Sequence, residues 1–260
     1  MDRSIEGFWQ VIFDDADEGV RPLGTGTLAV REAACWIYVG DRYMEFRAHK
    51  DRVVPERYPP SQQEAAAMFR SHRAVAGRYV ARRDGASLLV SHEPDIAVDP
   101  RMEATRYEHA VELDGDTATA HVLSSDGTRG EQYRWRRLSG RGSSPLAGGW
   151  ETGDEMDRWM YLVTAAHYGV MRADLSVLAD WPRTLSPSDD EAAAFFAARS
   201  LNAGAHLLAA KTMDHWPMYG STTGYEMRKH PTFWLPEIGR DEFLMSFAPE
   251  DDAGRWWRVA

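Results

Sequence analysis

The chain has 260 residues, 43% of them hydrophobic and 27% charged, with a formal net charge of −10. That balance argues against a nucleic-acid footprint, which needs a basic face, and a single cysteine, Cys35 in an apolar run, excludes an internal disulfide and any cysteine-based zinc site. No run approaches the ~20 apolar residues of a membrane span and Met1–Glu6 lacks a signal peptide's apolar core, so the sequence predicts a cytoplasmic protein without membrane or nucleic-acid partners.

The first half opens on Ile5-Glu6-Gly7-Phe8-Trp9, a strand start with Gly-x-Trp suited to a barrel corner. After an acidic loop over 14–18, the runs 26–30 and 35–39 read as a hairpin. A connection leads to Ser61-Gln62-Gln63-Glu64, a capping box that starts a short helix with Ala65, Met68 and Phe69 on one face. Strands follow over 77–81 and 87–92 around Asp84-Gly85, then over 105–111 and 119–123 around Asp114-Gly115, both strong hairpin signals. The half ends on 133–138.

The order then repeats. Residues 139–145 have the composition of a linker, and Leu146-Ala147-Gly148-Gly149-Trp150 restarts the pattern. Residues 167–171, after 159–163, read as the counterpart of 35–39, and Ser188-Asp189-Asp190-Glu191 caps a second helix ending in Phe195-Phe196. Thr223–Arg228 matches the strand at 105, and the final Trp257-Arg258 matches Trp135-Arg136. Between 206–211 and 214–217 no turn dipeptide occurs, so the second copy reads as short by one hairpin. The sequence predicts a mostly β protein: two tandem antiparallel barrels, over 1–138 and 146–260, each with one inserted helix that serves as its lid.

These residues resemble the bacterial lipocalin-like domain family: Gly7 and Trp9, Glu64–Phe69, Ala76–Val80, His92, Thr105 with Leu113-Asp114-Gly115-Asp116, and Trp135-Arg136. The resemblance covers residues 5–138. In the second half it keeps Gly148, Trp150, Tyr161–Arg172, Glu191–Phe196, Ala203-Gly204 and Trp257-Arg258, and departs at the missing hairpin turn and Leu-Asp-Gly-Asp stretch. It implies a barrel with a cavity for a small apolar molecule, and tandem members include enzymes that hydrate or cyclise polyenes and polyketides. The implied function is a cofactor-independent cyclase, isomerase or hydratase of secondary metabolism acting on a polyketide- or terpenoid-like substrate. The alternative is a non-catalytic carrier of an apolar ligand, and a homodimer is compatible with either.

No His-Glu-x-x-His, Gly-x-Ser-x-Gly or phosphate-binding glycine loop occurs, so neither metal nor cofactor is predicted. The candidate acid–base groups are polar residues that alternation turns inward: His109, which follows Tyr107 on one strand face, and His92 at a barrel mouth. Asp214, His215, Tyr219 and Glu226 join them, from the stretch 205–230 where the copies diverge. Each could equally be a satisfied core residue. Trp36, Tyr38, Tyr107, Trp159, Tyr161, Tyr168, Lys211, Trp216 and Tyr225 are the candidate substrate contacts, an aromatic wall able to stack on an unsaturated ligand or on a cation. Trp9, Trp135, Trp150 and Trp257 are expected to plug the barrel ends beneath arginines.

Overall fold

A computed structural model describes residues 5–12, 33–49, 55, 59–103, 105–183, 185–220 and 231–260. Eight strands form an antiparallel meander in the first half: β1 (Gly7–Ile12), β2 (Ala33–Val39), β3 (Arg42–Ala48), β4 (His72–Asp84), β5 (Ser87–Ala97), β6 (Tyr107–Asp114), β7 (Thr117–Leu123) and β8 (Arg129–Ser139). Pairing of β8 with β1 closes this barrel and removes its edges.

Eight more follow: β9 (Gly148–Gly153), β10 (Asp157–Val163), β11 (His167–Asp174), β12 (Arg199–Ala209), β13 (Thr212–Gly220), β14 (Thr232–Trp234), β15 (Glu242–Met245) and β16 (Gly254–Arg258). Their sheet runs β14-β13-β12-β11-β10-β9-β16-β15. A bridge between Trp234 and Ser246, with N–O distances of 2.9 and 3.0 Å, joins its two edges into a second barrel. Each barrel carries one helix, α1 (Gln62–Ser71) and α2 (Asp189–Ala198), and both capping boxes are formed.

The two barrels match strand for strand, and a shared irregularity sets the register. At Gly77 and Gly204 the ladder slips by one residue opposite Pro94 and Pro217, and any Cβ there would collide with the carbonyl oxygen of Glu93 or Trp216. His92 therefore corresponds to His215 and Tyr43 to Tyr168, while Tyr161 stands where barrel 1 has Trp36 and Val163 where it has Tyr38.

This register corrects several expectations. Residues 167–171 correspond to β3 and not to 35–39, whose true counterpart is β10. β3 itself lies in what the sequence left as a connection. Its partner β2 pairs with β1 and β3, while 26–30 lies outside the described residues. The second copy has lost no hairpin, because β12 and β13 reverse through Ala210-Lys211 without any positive φ at these two residues. The ring equivalent to Trp135 is the buried Trp256, and Trp257 is 51% exposed. Ser139, placed in the linker, ends β8 opposite Phe8. Thr223–Arg228 lies outside the described residues.

The helices are not lids. α1 packs on α2 through Phe69 and Phe195, whose rings stack at 6.1 Å, and the helices are tied by Arg70–Asp189 and by Gln62–Asp190 at 2.6 Å. Around them Phe8, Ile37, Met44 and Phe46 of barrel 1 meet Met160, Leu162, Met171 and Tyr219 of barrel 2 in one buried cluster. Gly169 makes the approach close, since a Cβ there would strike Ile37 and Met44. β2 and β3 are thus buried on both faces, one toward their barrel and one toward this seam, which erases the alternation that marks a half-buried strand.

Candidate functional site

Both barrel interiors are filled with aromatic rings. In barrel 1, Trp36, Tyr38, Tyr43, Tyr79, Tyr133 and Trp135 pack inside, with Trp36 stacked on Trp135 at 5.0 Å. In barrel 2, Trp150, Tyr161, Tyr168, Phe243 and Trp256 do the same. The closed ends follow expectation: Arg137 lies 4.3 Å over Trp9 and Arg258 lies 4.1 Å over Trp150, while each indole N–H donates to the carbonyl four residues earlier.

Equivalent histidines are each bonded to a tyrosine, supplied from different positions of β2 and β10. The Tyr38 hydroxyl is 2.9 Å from Nε2 of His92, with Tyr43 edge-on to the same imidazole. The Tyr161 hydroxyl is 2.8 Å from Nε2 of His215, with Tyr168 stacked on it at 3.7 Å. Burial, reinforced by His109, holds His92 well below the usual imidazole range, against a weaker opposing contact with the Tyr107 backbone. Burial and then His206 pull His215 down to about 3. Both rings are neutral at pH 7. Burial also raises the Tyr38 and Tyr161 hydroxyls, so they stay protonated.

A second set of polar groups belongs to barrel 1 alone. Glu45 of β3, 3% exposed, makes a two-point ion pair with Arg73 of β4 at 2.7 and 3.2 Å. Tyr107 of β6 donates to the same carboxylate at 2.6 Å and contacts the Tyr43 hydroxyl at 3.2 Å, beneath the Arg73 guanidinium at 4.9 Å. The Tyr107 ring stacks on His92 at 4.6 Å, and His109, two residues further in on the same strand face, stands 5.0 Å from His92. Nδ1 of His109 has no hydrogen-bond partner among the described residues. Burial brings this imidazole down to about 4, with Glu45 opposing and Arg73 assisting. In barrel 2 the register puts Val170, Ser200, Pro231 and Phe233 where Glu45, Arg73, Tyr107 and His109 stand. This removes every one of these ionisable groups.

The half-exposed Arg73 and Arg47 rim the mouth above this set, Arg47 pairing with Glu131 at 3.2 Å and lying over Tyr133. What the arrangement offers chemically is a neutral buried base, a phenol fixed by a carboxylate, and a cation within reach of solvent. Among the described residues no group of three or more His, Cys, Asp or Glu is placed to hold a metal ion.

Of the sequence-derived candidates, His92, His109, Trp36, Tyr38 and Tyr107 converge in barrel 1, while His215, Trp159, Tyr161 and Tyr168 converge in barrel 2. Four others do not join them. Tyr219 lies beyond the bulge at Pro217 and packs between the barrels on Phe8 and Phe46. Asp214 faces away from His215 and accepts from Thr232, and Lys211 sits in the exposed β12–β13 turn. Trp216, next to His215 along β13, alternates to the opposite face. Tyr225 and Glu226 lie outside the described residues. Sequence reasoning missed Glu45, Arg73 and Tyr43; the signal available was Tyr43-x-Glu45-x-Arg47, side chains with polar ends at every second position.

No protein-family model matches the chain, and no curated protein does. A solved structure, uncharacterized protein YLR301w from Saccharomyces cerevisiae, is similar at 10% identity and a TM-score of 0.44, covering 97% of each chain. Among the described residues no helix is long and apolar enough to cross a membrane.

Proposed function

We propose that barrel 1 is the working barrel and that it catalyses a cofactor-independent proton transfer on a small, largely apolar organic molecule, leading to isomerisation, cyclisation or hydration. The observation that carries this reading is the contrast between the copies. A group needed only for folding should recur in both barrels, as His92 does in His215 and Tyr43 does in Tyr168; Glu45, Arg73, Tyr107 and His109 occur in one. A buried imidazole nitrogen without a partner costs stability unless it serves something else.

In this reading His109 is the base and takes a proton from a carbon or hydroxyl of the substrate. Arg73 holds the negative charge that develops on the adjacent oxygen, and His109 returns the proton to the rearranged product. Glu45 positions both Arg73 and Tyr107. The aromatic walls, Trp36 and Tyr133 among them, hold an unsaturated substrate in its reactive conformer. A polyketide- or terpenoid-like molecule fits this chemistry, as the lipocalin-like resemblance also suggests.

In the carrier reading the same aromatic walls would hold an apolar ligand without turnover. Turnover assays on unsaturated carbonyl compounds separate the two. His109→Gln should lower kcat about 10²- to 10⁴-fold, the usual contribution of a general base, while Phe233→Leu in barrel 2 leaves it intact. Equal activity in both variants would remove His109 and with it the catalytic proposal.

A further inference from the structure

A cleft of about 560 Å³ opens between the segment joining the barrels and the turn before β15. Arg141, Ser143, Ser144, Gly239, Arg240 and Arg258 line it. Three arginines on one cleft stand out in a chain whose net charge is −10. Arg258 is fixed there by carbonyls alone, donating to Ala147 at 2.9 Å, Pro145 at 2.8 Å and the backbone of Arg240, with its plane over Trp150. Its charge is therefore held rigidly, with no bonded carboxylate among the described residues. Arg141 reaches only a long contact of 3.5 Å with Glu6, and the exposed Arg240 side chain has no ion pair among the described residues. Burial draws Arg258 below the usual guanidinium range; Asp241 opposes this, and Arg141 and Arg240 add to it. The three cations thus repel one another across the cleft.

We propose that this cleft binds the phosphate group of a small phosphorylated molecule. Arg240 and Arg141 would take its oxygens, the Ser143 hydroxyl would complete the set, and Arg258 would supply a fixed neighbouring charge. A doubly charged, three-oxygen group relieves the repulsion among three arginines better than a carboxylate does, and guanidinium groups suit its oxygens in pairs. The site is independent of the barrel 1 chemistry.

Calorimetric titration of the whole protein with inorganic phosphate, and with acetate as the singly charged comparison, tests it. Phosphate should bind more tightly than acetate, and Arg240→Ala should weaken phosphate about tenfold or more, the effect of losing one charge-assisted contact. Arg78→Ala, which removes an exposed cation from barrel 1, should leave binding unchanged. Because Arg240 is exposed, its loss should not move the thermal midpoint, so a binding defect cannot be blamed on unfolding. Absence of phosphate binding at millimolar concentration, equal affinity for acetate, or equal weakening by both substitutions would each overturn the proposal.

Discussion

Arg199 and Glu103 meet at 3.2 Å across the seam between the barrels, and each side chain is only 4% exposed. The same guanidinium donates to the Ala97 carbonyl at 3.0 Å, and Arg183 reaches the other carboxylate oxygen at 3.1 Å. Burial raises the Glu103 carboxyl, and the two arginines pull it back. Removing one partner strands the other charge, so Glu103→Gln should cost about 3–5 kcal/mol of unfolding free energy. Denaturant unfolding measures this; a loss below ~1 kcal/mol would mean that solvent reaches the seam.

The two tyrosine–histidine pairs should behave as separate structural units. Tyr38→Phe and Tyr161→Phe each leave a buried imidazole nitrogen unpartnered, at about 1–3 kcal/mol apiece. Because the pairs sit in different barrels, the double variant should lose the sum to within ~0.5 kcal/mol. A large departure from additivity would mean that the interiors communicate through the seam.

Acid should destabilise the protein before its carboxylates titrate. His92, His109 and His215 are depressed below the ordinary 6.5 in the folded state, the last two to about 4 and about 3. The unfolded chain therefore binds more protons between these values, and stability falls as pH drops from about 6.5, levelling only below the folded values. Glu191, held low by its capping contacts with Ser188, adds its loss at more acid pH. Urea midpoints across pH 8 to 4 read this out. A flat profile from pH 7 to 5 would contradict the neutral, buried imidazoles.

If His109 is the base, kcat/KM should be level through neutral pH and fall only as pH approaches about 4, where that imidazole protonates. Rates must be read in brief pH jumps, before acid unfolding sets in. An ascending limb near pH 6.5 would point to a solvent-exposed histidine instead.

The sequence carried the duplication, the capped helices and most strands, because capping boxes, Asp-Gly turns and Gly-x-Trp corners are local signals. It placed His109 and Tyr107 correctly on one interior face, since β6 has the alternation of a half-buried strand. It missed Glu45 because β3 is buried on both sides, and the charges at Arg42, Glu45 and Arg47 break the apolar run by which such a strand is recognised. Tyr219 was chosen only from the stretch where the copies diverge, and the bulge at Pro217 turns that end of β13 onto the seam face. Divergence between the copies was the guide taken to specialisation. It pointed to 205–230, whereas the ionisable set unique to one copy stands in barrel 1.

The seam has a further meaning. Like meets like across it, α1 with α2 and β2 with β10, which is the pattern of a symmetric contact between identical subunits. The chain is thus organised as a dimer whose subunits share one polypeptide, and severing the joining segment should yield two pieces that recombine. Tethering fixes their ratio at one to one and frees each to drift apart in sequence, so one barrel can gather reactive groups while its twin keeps the pair standing.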